Sequence, residues 1–130
     1  MNRIDSRERD LVKCEDMRIH AERSRQFLGS RSLAEFLSDD LVQAAVIRRV
    51  EVIGEAARQV SEETRRRVPD IPWSLIVGMR HVLAHDNGAV DIERVYSAVT
   101  ENLPELIERL GGLIASLERV VGWPKGDSEE

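Results

Sequence analysis

One run of residues constrains this chain more than any other. Val42, Val46, Ile47, Val50, Ile53, Ala57 and Val60 recur at steps of three and four, which sets them on one face of a helix over residues 41–60. Asp39 or Asp40 supplies its start. A stripe of this kind must be buried against other elements, and no sustained period-two alternation elsewhere offers it a sheet. Its partners are therefore helices. Gly54 lies inside the pattern, where an interior glycine costs about 1 kcal/mol against alanine unless another backbone comes close.

The remaining elements follow from the same reading. A first helix is predicted over residues 6–28, stopped by Gly29, with scattered apolar positions at Leu11, Cys14, Met17, Ala21 and Leu28. Ser32 followed by Glu35 forms a capping box that opens a short helix with Leu33, Phe36 and Leu37. Residues 68–72, Val-Pro-Asp-Ile-Pro, form a loop because the prolines remove donors and restrict their predecessors. Trp73 or Ser74 starts another helix with a buried stripe of Leu75, Ile76, Met79, Val82 and Leu83. It ends near His85, at the turn signal Asp86-Asn87-Gly88. Asp91 caps a last helix running from Ile92 to Val120, which Pro104 should bend and Gly111-Gly112 should loosen. The expected fold is all-α: an up-down bundle of four to five helices in one domain over residues 1–122, with a flexible tail at 123–130. Some apolar stripes are wide for so short a chain, so a second copy is expected to cover part of them.

Composition narrows the function classes. The 130 residues carry a net charge of −5, so a general attraction for phosphate is excluded and any RNA contact needs a local basic site. Arg48-Arg49 and Arg65-Arg66-Arg67 are the local clusters, and solvated helix charge is the plainer reading of both. Aromatic residues make up 4%, too few for a stack of aromatic platforms. Cys14 is the single cysteine, which excludes an internal disulfide and a cysteine-rich zinc site. No apolar run is long enough to span a membrane. Residues 1–10 are charged, with no apolar run after them, unlike a secretory leader. A cytoplasmic protein is expected.

Chemistry concentrates at Arg80-His81-Val82-Leu83-Ala84-His85-Asp86-Asn87, which holds two of the chain's three histidines. On a straight helix His81 and His85 lie roughly 40° apart and Arg80 and His85 roughly 140° apart. Convergence of Arg80 and His85 then requires the helix to end near His85 or a second subunit to complete the pocket. An imidazole near its working pH can take the proton of a ribose 2′-hydroxyl. A guanidinium can bind the phosphate and stabilise its added charge. Two other readings fit the spacing: polar surface and capping residues, with His85 favoured at a helix C-terminus, or a His-x-x-x-His metal pair with Asp86 or Asp91 as a third ligand. Val82 stands where a zincin motif needs glutamate. Glu51 or Glu55 could orient an arginine in the site, and a solvated pair supporting Arg48 or Arg58 by helical spacing is the plainer reading. His20 stands apart and has no assigned role.

Several segments together resemble the HepT-like HEPN ribonuclease toxins. These are residues 47–57 (Ile-Arg-Arg-Val-Glu-Val-Ile-Gly-Glu-Ala-Ala), 68–73 (Val-Pro-Asp-Ile-Pro-Trp), 79–85 (Met-Arg-His-Val-Leu-Ala-His), Val90-Asp91 and Leu103-Pro104. The resemblance runs over about residues 36–110, and it is the ordered series that is specific. The family pattern of arginine, a polar residue, three more residues and histidine falls on Arg80, His81 and His85. It implies a HEPN bundle that dimerises and a metal-independent endoribonuclease site in the interface cleft, with no cofactor. His85 would be the general base, Arg80 the phosphate clamp and His81 an auxiliary donor, with Glu55, Asp86 and Asn87 in support. The product would be a 2′,3′-cyclic phosphate. The resemblance also implies a toxin neutralised by a nucleotidyltransferase antitoxin of the MNT type. Many relatives carry a tyrosine two residues after the motif histidine, which that partner adenylylates. Asn87 occupies the position here, and Tyr96 falls on an apolar stripe and reads as core. The alternative function is a catalytically inactive helical module that docks a nucleotidyltransferase or RNA.

Overall fold

The computed structural model describes residues 6–84 and 87–122. Three long helices dominate: α1 (Ser6–Leu28), α3 (Asp40–Arg58) and α8 (Leu103–Val121). Between them lie α2 (Leu33–Leu37), α4 (Glu62–Arg67), α5 (Trp73–Val77), α6 (Met79–Val82) and α7 (Ile92–Ser97). The all-α expectation holds: among the described residues the only extended pairing is an isolated antiparallel bridge between Ala84 and Val90. The expected tail at 123–130 lies outside the described residues.

α1 is the centre of the bundle, packed along both α3 and α8. Its buried line runs Asp10, Cys14, Met17, Ala21, Ser24, Leu28, alternating steps of four and three. That is a regular inward seam, hidden in the sequence because two of its members are polar. The Asp10 carboxylate accepts from the Ser61 amide at 2.8 Å and from the Ser61 and Thr64 hydroxyls at 2.5 Å each. Ser61 in turn caps α4, so one buried acid ties the start of α1 to the start of α4. Burial, with Asp10 and Glu15 nearby, pushes the Cys14 thiol up to about 12, which leaves it protonated and inert.

α4 was not foreseen, since residues 61–67 carry no apolar stripe. Local bonds build it instead: the Ser61 hydroxyl accepts from the Thr64 amide. Arg65 reaches back to the Ala57 and Arg58 carbonyls at 3.0 Å, closing the end of α3. Arg67 donates to the Ser116 hydroxyl on α8 at 2.8 Å. Part of the Arg65-Arg66-Arg67 cluster is thus structural and not merely solvated.

The expected capping box and caps are present. The Ser32 hydroxyl accepts from the Glu35 amide, and Glu35 returns the bond to the Ser32 amide. Asp39 caps α3 and Asp91 caps α7. α7 passes through a π-helical turn, Ala98–Asn102, into α8. The Thr100 hydroxyl donates to the Tyr96 carbonyl at 2.9 Å, and Pro104, lacking an N–H, cannot bond the carbonyl four residues before it. Both effects widen the turn where a bend was expected. Gly111 and Gly112 do not interrupt α8, because the buried line from Leu103 to Leu117 holds it.

The helix expected from Trp73 to His85 is broken. Gly78 separates α5 from α6, and α6 ends at Val82. Its expected buried stripe is correspondingly only half buried: Ile76 and Leu83 are in the core, whereas Leu75 is 59% and Val82 39% exposed. The change of direction at Gly78 turns part of the stripe outward, toward the space beside α7 and α8.

Gly54 explains how α5 is seated. A Cβ built there would lie 2.8 Å from the Ile76 carbonyl oxygen, so α3 and α5 touch backbone to backbone. Gly54→Ala is expected to destabilise the fold by about 1–3 kcal/mol despite the better helix propensity of alanine. Urea unfolding checks it; an unchanged or raised midpoint would show that the contact is soft.

Candidate active site

α6 presents Arg80 and His81 to solvent. Arg80 Nε lies 3.8 Å from Glu51 Oε2 on α3, and the other Glu51 oxygen lies 3.9 Å from Arg48 Nη1. One half-buried carboxylate is thus shared by two guanidiniums. Glu51 stands one helical turn before Gly54, on the α3 face that meets α5 and α6. Glu55 points elsewhere: its carboxylate pairs with Arg58, which holds it below the usual glutamate range. The support expected from Glu55 for Arg80 is therefore supplied by Glu51.

The chain after α6 turns back on itself. Leu83 leaves the helix with φ −90° and ψ 2°, Ala84 bridges to Val90, and the Asp91 amide donates to the Leu83 carbonyl at 2.7 Å. Gly88 takes a positive φ of 88°, open to glycine without strain. The Asn87 side-chain oxygen accepts from the Ala89 amide at 3.0 Å, an Asx turn. His85 and Asp86 lie outside the described residues. The end of the helix at Val82 still matters, because the 140° separation of Arg80 and His85 belongs to a straight helix that does not extend that far.

Arg94 on α7 stabilises this reversal, and sequence reasoning missed it. Its Nη1 donates to the Val82 carbonyl at 3.1 Å and the Ala84 carbonyl at 3.4 Å, the open end of α6. Asp91, the α7 cap, lies 3.5 Å from Arg94 Nε. The available signal was an arginine three residues after a capping aspartate, too common a pattern to single out.

Tyr96 is half-buried. Its hydroxyl donates to the Arg31 carbonyl at 2.8 Å and its ring lies 5.8 Å from that of Phe36. Among the described residues no group of three His, Cys, Asp or Glu side chains is assembled for a metal ion. None of the described helices is long and apolar enough to cross a membrane.

Beside α6 lies a groove of about 680 Å³, with Leu75, Met79 and Val82 on one wall and Leu103 and Leu106 on the other. Arg109 bridges part of its rim, 3.2 Å from Asp70 and 2.6 Å from Glu105. The guanidinium of Arg80 is exposed beyond its long contact with Glu51, a geometry open to bidentate contact with an oxyanion.

A family model described as Ribonuclease HepT-like matches residues 17–111. A relative from Thermococcus cleftensis, named for ribonuclease HepT, is 35% identical over 92 residues, 71% of this chain and 84% of its own. One from Methanocaldococcus jannaschii, named as an RNase, is 35% identical over 72 residues, 55% of this chain; the match spans 66% of that relative's length. Another RNase-named relative, from Caldanaerobacter subterraneus, is 32% identical over 75 residues, 58% of this chain and 67% of its own. No solved structure matches with significance.

Arg94→Ala is expected to loosen the reversal after α6 without unfolding the bundle. Loss of a bond worth about 1 kcal/mol gives a roughly fivefold faster hydrogen exchange at the Asp91 amide. Exchange measured by NMR at that amide, with α1 amides as the reference, checks it.

Proposed function

Since the chain belongs to the ribonuclease HepT-like family, we propose that it is a metal-independent endoribonuclease acting through Arg80 and His85. The observation that carries this reading is the placement of Arg80: exposed on α6, held among the described residues by a carboxylate that it shares with Arg48, and five residues before His85 in a sequence whose helix ends at Val82. His85 takes the proton of the 2′-hydroxyl and the alkoxide attacks the adjacent phosphorus. Arg80 neutralises the charge gathering on the non-bridging oxygens. His81, the auxiliary acid, gives a proton to the 5′-oxygen as its bond to phosphorus breaks, which leaves a 2′,3′-cyclic phosphate on the other fragment. Glu51 orients Arg80, Asn87 supports the turn that follows through its bond to the Ala89 amide, and Asp86 is assigned a supporting role in the site.

The biological setting proposed is a cytoplasmic toxin held in check by a nucleotidyltransferase antitoxin. With Asn87 where many relatives have tyrosine, neutralisation by adenylylation at that position has no acceptor hydroxyl. Occlusion by the partner is the mode that remains. The second reading, an inactive module that docks the nucleotidyltransferase or RNA, is favoured only by Asn87 and the net charge of −5.

Purified protein is expected to cleave RNA equally with and without chelator and to leave DNA intact. Arg80→Ala and His85→Ala should each lose about 100-fold or more in rate, with cyclic phosphate ends identified by mass spectrometry. Equal rates in the variants would sink the assignment, and no cleavage by the wild type would favour the docking module.

The homodimer is proposed on the groove beside α6. Leu75 and Val82 are large apolar side chains exposed there, and a second copy is the occupant that brings two α6 helices together. Leu75→Glu is expected to shift the protein from dimer to monomer in sedimentation equilibrium. A wild-type monomer at all concentrations would remove the shared cleft.

A further inference from the structure

α1 and α3 run antiparallel, and their solvent side forms a second groove, lined by His20, Phe27, Ala45, Arg48, Arg49 and Val52. His20, Arg23 and Phe27 follow steps of three and four along α1, and Ala45, Arg48, Arg49 and Val52 do so along α3, so each set shares a face. Arg49 Nη1 donates to His20 Nδ1 at 2.9 Å; a guanidinium only donates, so this ring nitrogen is unprotonated. The same guanidinium lies 5.4 Å from the centre of the Phe27 ring, which remains 36% exposed. Arg48 joins this groove to the site on α6, because Glu51 pairs with both Arg48 and Arg80.

The groove is positive on an acidic chain. Burial lowers the His20 pKa first, followed by Arg49, with Arg23 and Arg48 adding in the same direction against Asp16. Arg48 and Arg49 line the groove, Arg23 shares the α1 face of His20 and acts on the same imidazole, and Asp16 opposes them there. Fixed cations, an exposed aromatic ring and a groove continuous with a phosphate-binding arginine fit a strand whose phosphates and bases are both accessible. A duplex hides its base faces, and an acidic peptide has no use for the ring.

We infer that the α1–α3 groove is a subsite for single-stranded RNA, in which Arg23, Arg48 and Arg49 contact backbone phosphates and Phe27 receives a base next to the segment held by Arg80. The direction of the strand rests on the nuclease reading; the binding does not.

The test is fluorescence anisotropy with a short single-stranded RNA, 2′-O-methylated throughout so that it cannot be cleaved. Arg23 and Arg48 are exposed, so the double variant Arg23→Gln/Arg48→Gln should fold normally. Its affinity is expected to fall roughly tenfold, and the slope of log affinity against log salt to shrink by about 1.4, two charges at about 0.7 each. Phe27→Leu should weaken binding with the salt slope unchanged. Arg119→Gln, on α8, controls for net charge and should bind as the wild type does. Wild-type affinity and slope in the double variant, an equal loss in the Arg119 control, or no RNA binding at all would overturn the subsite. Competition by poly-glutamate as effective per charge as RNA would also overturn it, in favour of an acidic protein surface. Cleavage separates the two readings: groove-dependent binding without cleavage removes the nuclease and keeps the subsite, whereas Arg80-dependent cleavage with unaltered binding in the double variant does the reverse.

Discussion

The backbone contact between α3 and α5 at Gly54 determines where everything functional sits. Any side chain there would collide with the Ile76 carbonyl, so only glycine lets the two helices meet this closely. An interior glycine costs about 1 kcal/mol of helix propensity, which the packing of Ile53, Ala57 and Ile76 offsets. The approach fixes α5, and the short step at Gly78 then fixes α6. Glu51, three residues before Gly54, faces the same neighbours, and for that reason a carboxylate on α3 meets Arg80 on α6.

Much of this frame was legible in the sequence because it is written in spacing and caps. The α3 stripe, the Ser32–Glu35 box, the caps at Asp39 and Asp91 and the demand for a close backbone at Gly54 each have a local physical cause. α1 was legible in extent but not in facing. Its seam uses Asp10 and Ser24, and hydropathy cannot tell a buried aspartate from a surface one. What makes Asp10 a core residue is a set of three donors on Ser61 and Thr64, more than fifty positions away. A buried carboxylate is tolerated when its lone pairs are occupied, and those partners become visible only once the chain is folded.

The candidate site stood out in the sequence as a run of residues, and its geometry did not. Arg80 and His81 emerge on an exposed helix, yet the stripe from Leu75 to Leu83 suggested one straight, buried element. Gly78 and the early end at Val82 broke that phase, and the apolar side chains left outside mark a surface that one chain does not fill. Choosing between Glu51 and Glu55 also needed the fold: both have an arginine three residues away on α3, and only the position of α6 singles out Glu51. Arg94 was invisible for the opposite reason, since it acts on carbonyls, which leave no trace in the pattern of side chains.

The strength of the Glu51 contacts bears on how Arg80 is used. At 3.8 and 3.9 Å, with Arg80 largely exposed, such pairs are worth between nothing and about 1 kcal/mol. They add little to stability and hold Arg80 only loosely. A phosphodiester offers the guanidinium two short, charge-assisted bonds in place of one long one, so exchanging carboxylate for phosphate costs at most a few-fold in binding. On the proposed nuclease reading, Glu51 would keep the arginine extended over α6 without RNA and give it up to an arriving phosphate. A tighter, bidentate pair at this position would have buried the charge of Arg80 in the protein's own network and left it unavailable to the substrate.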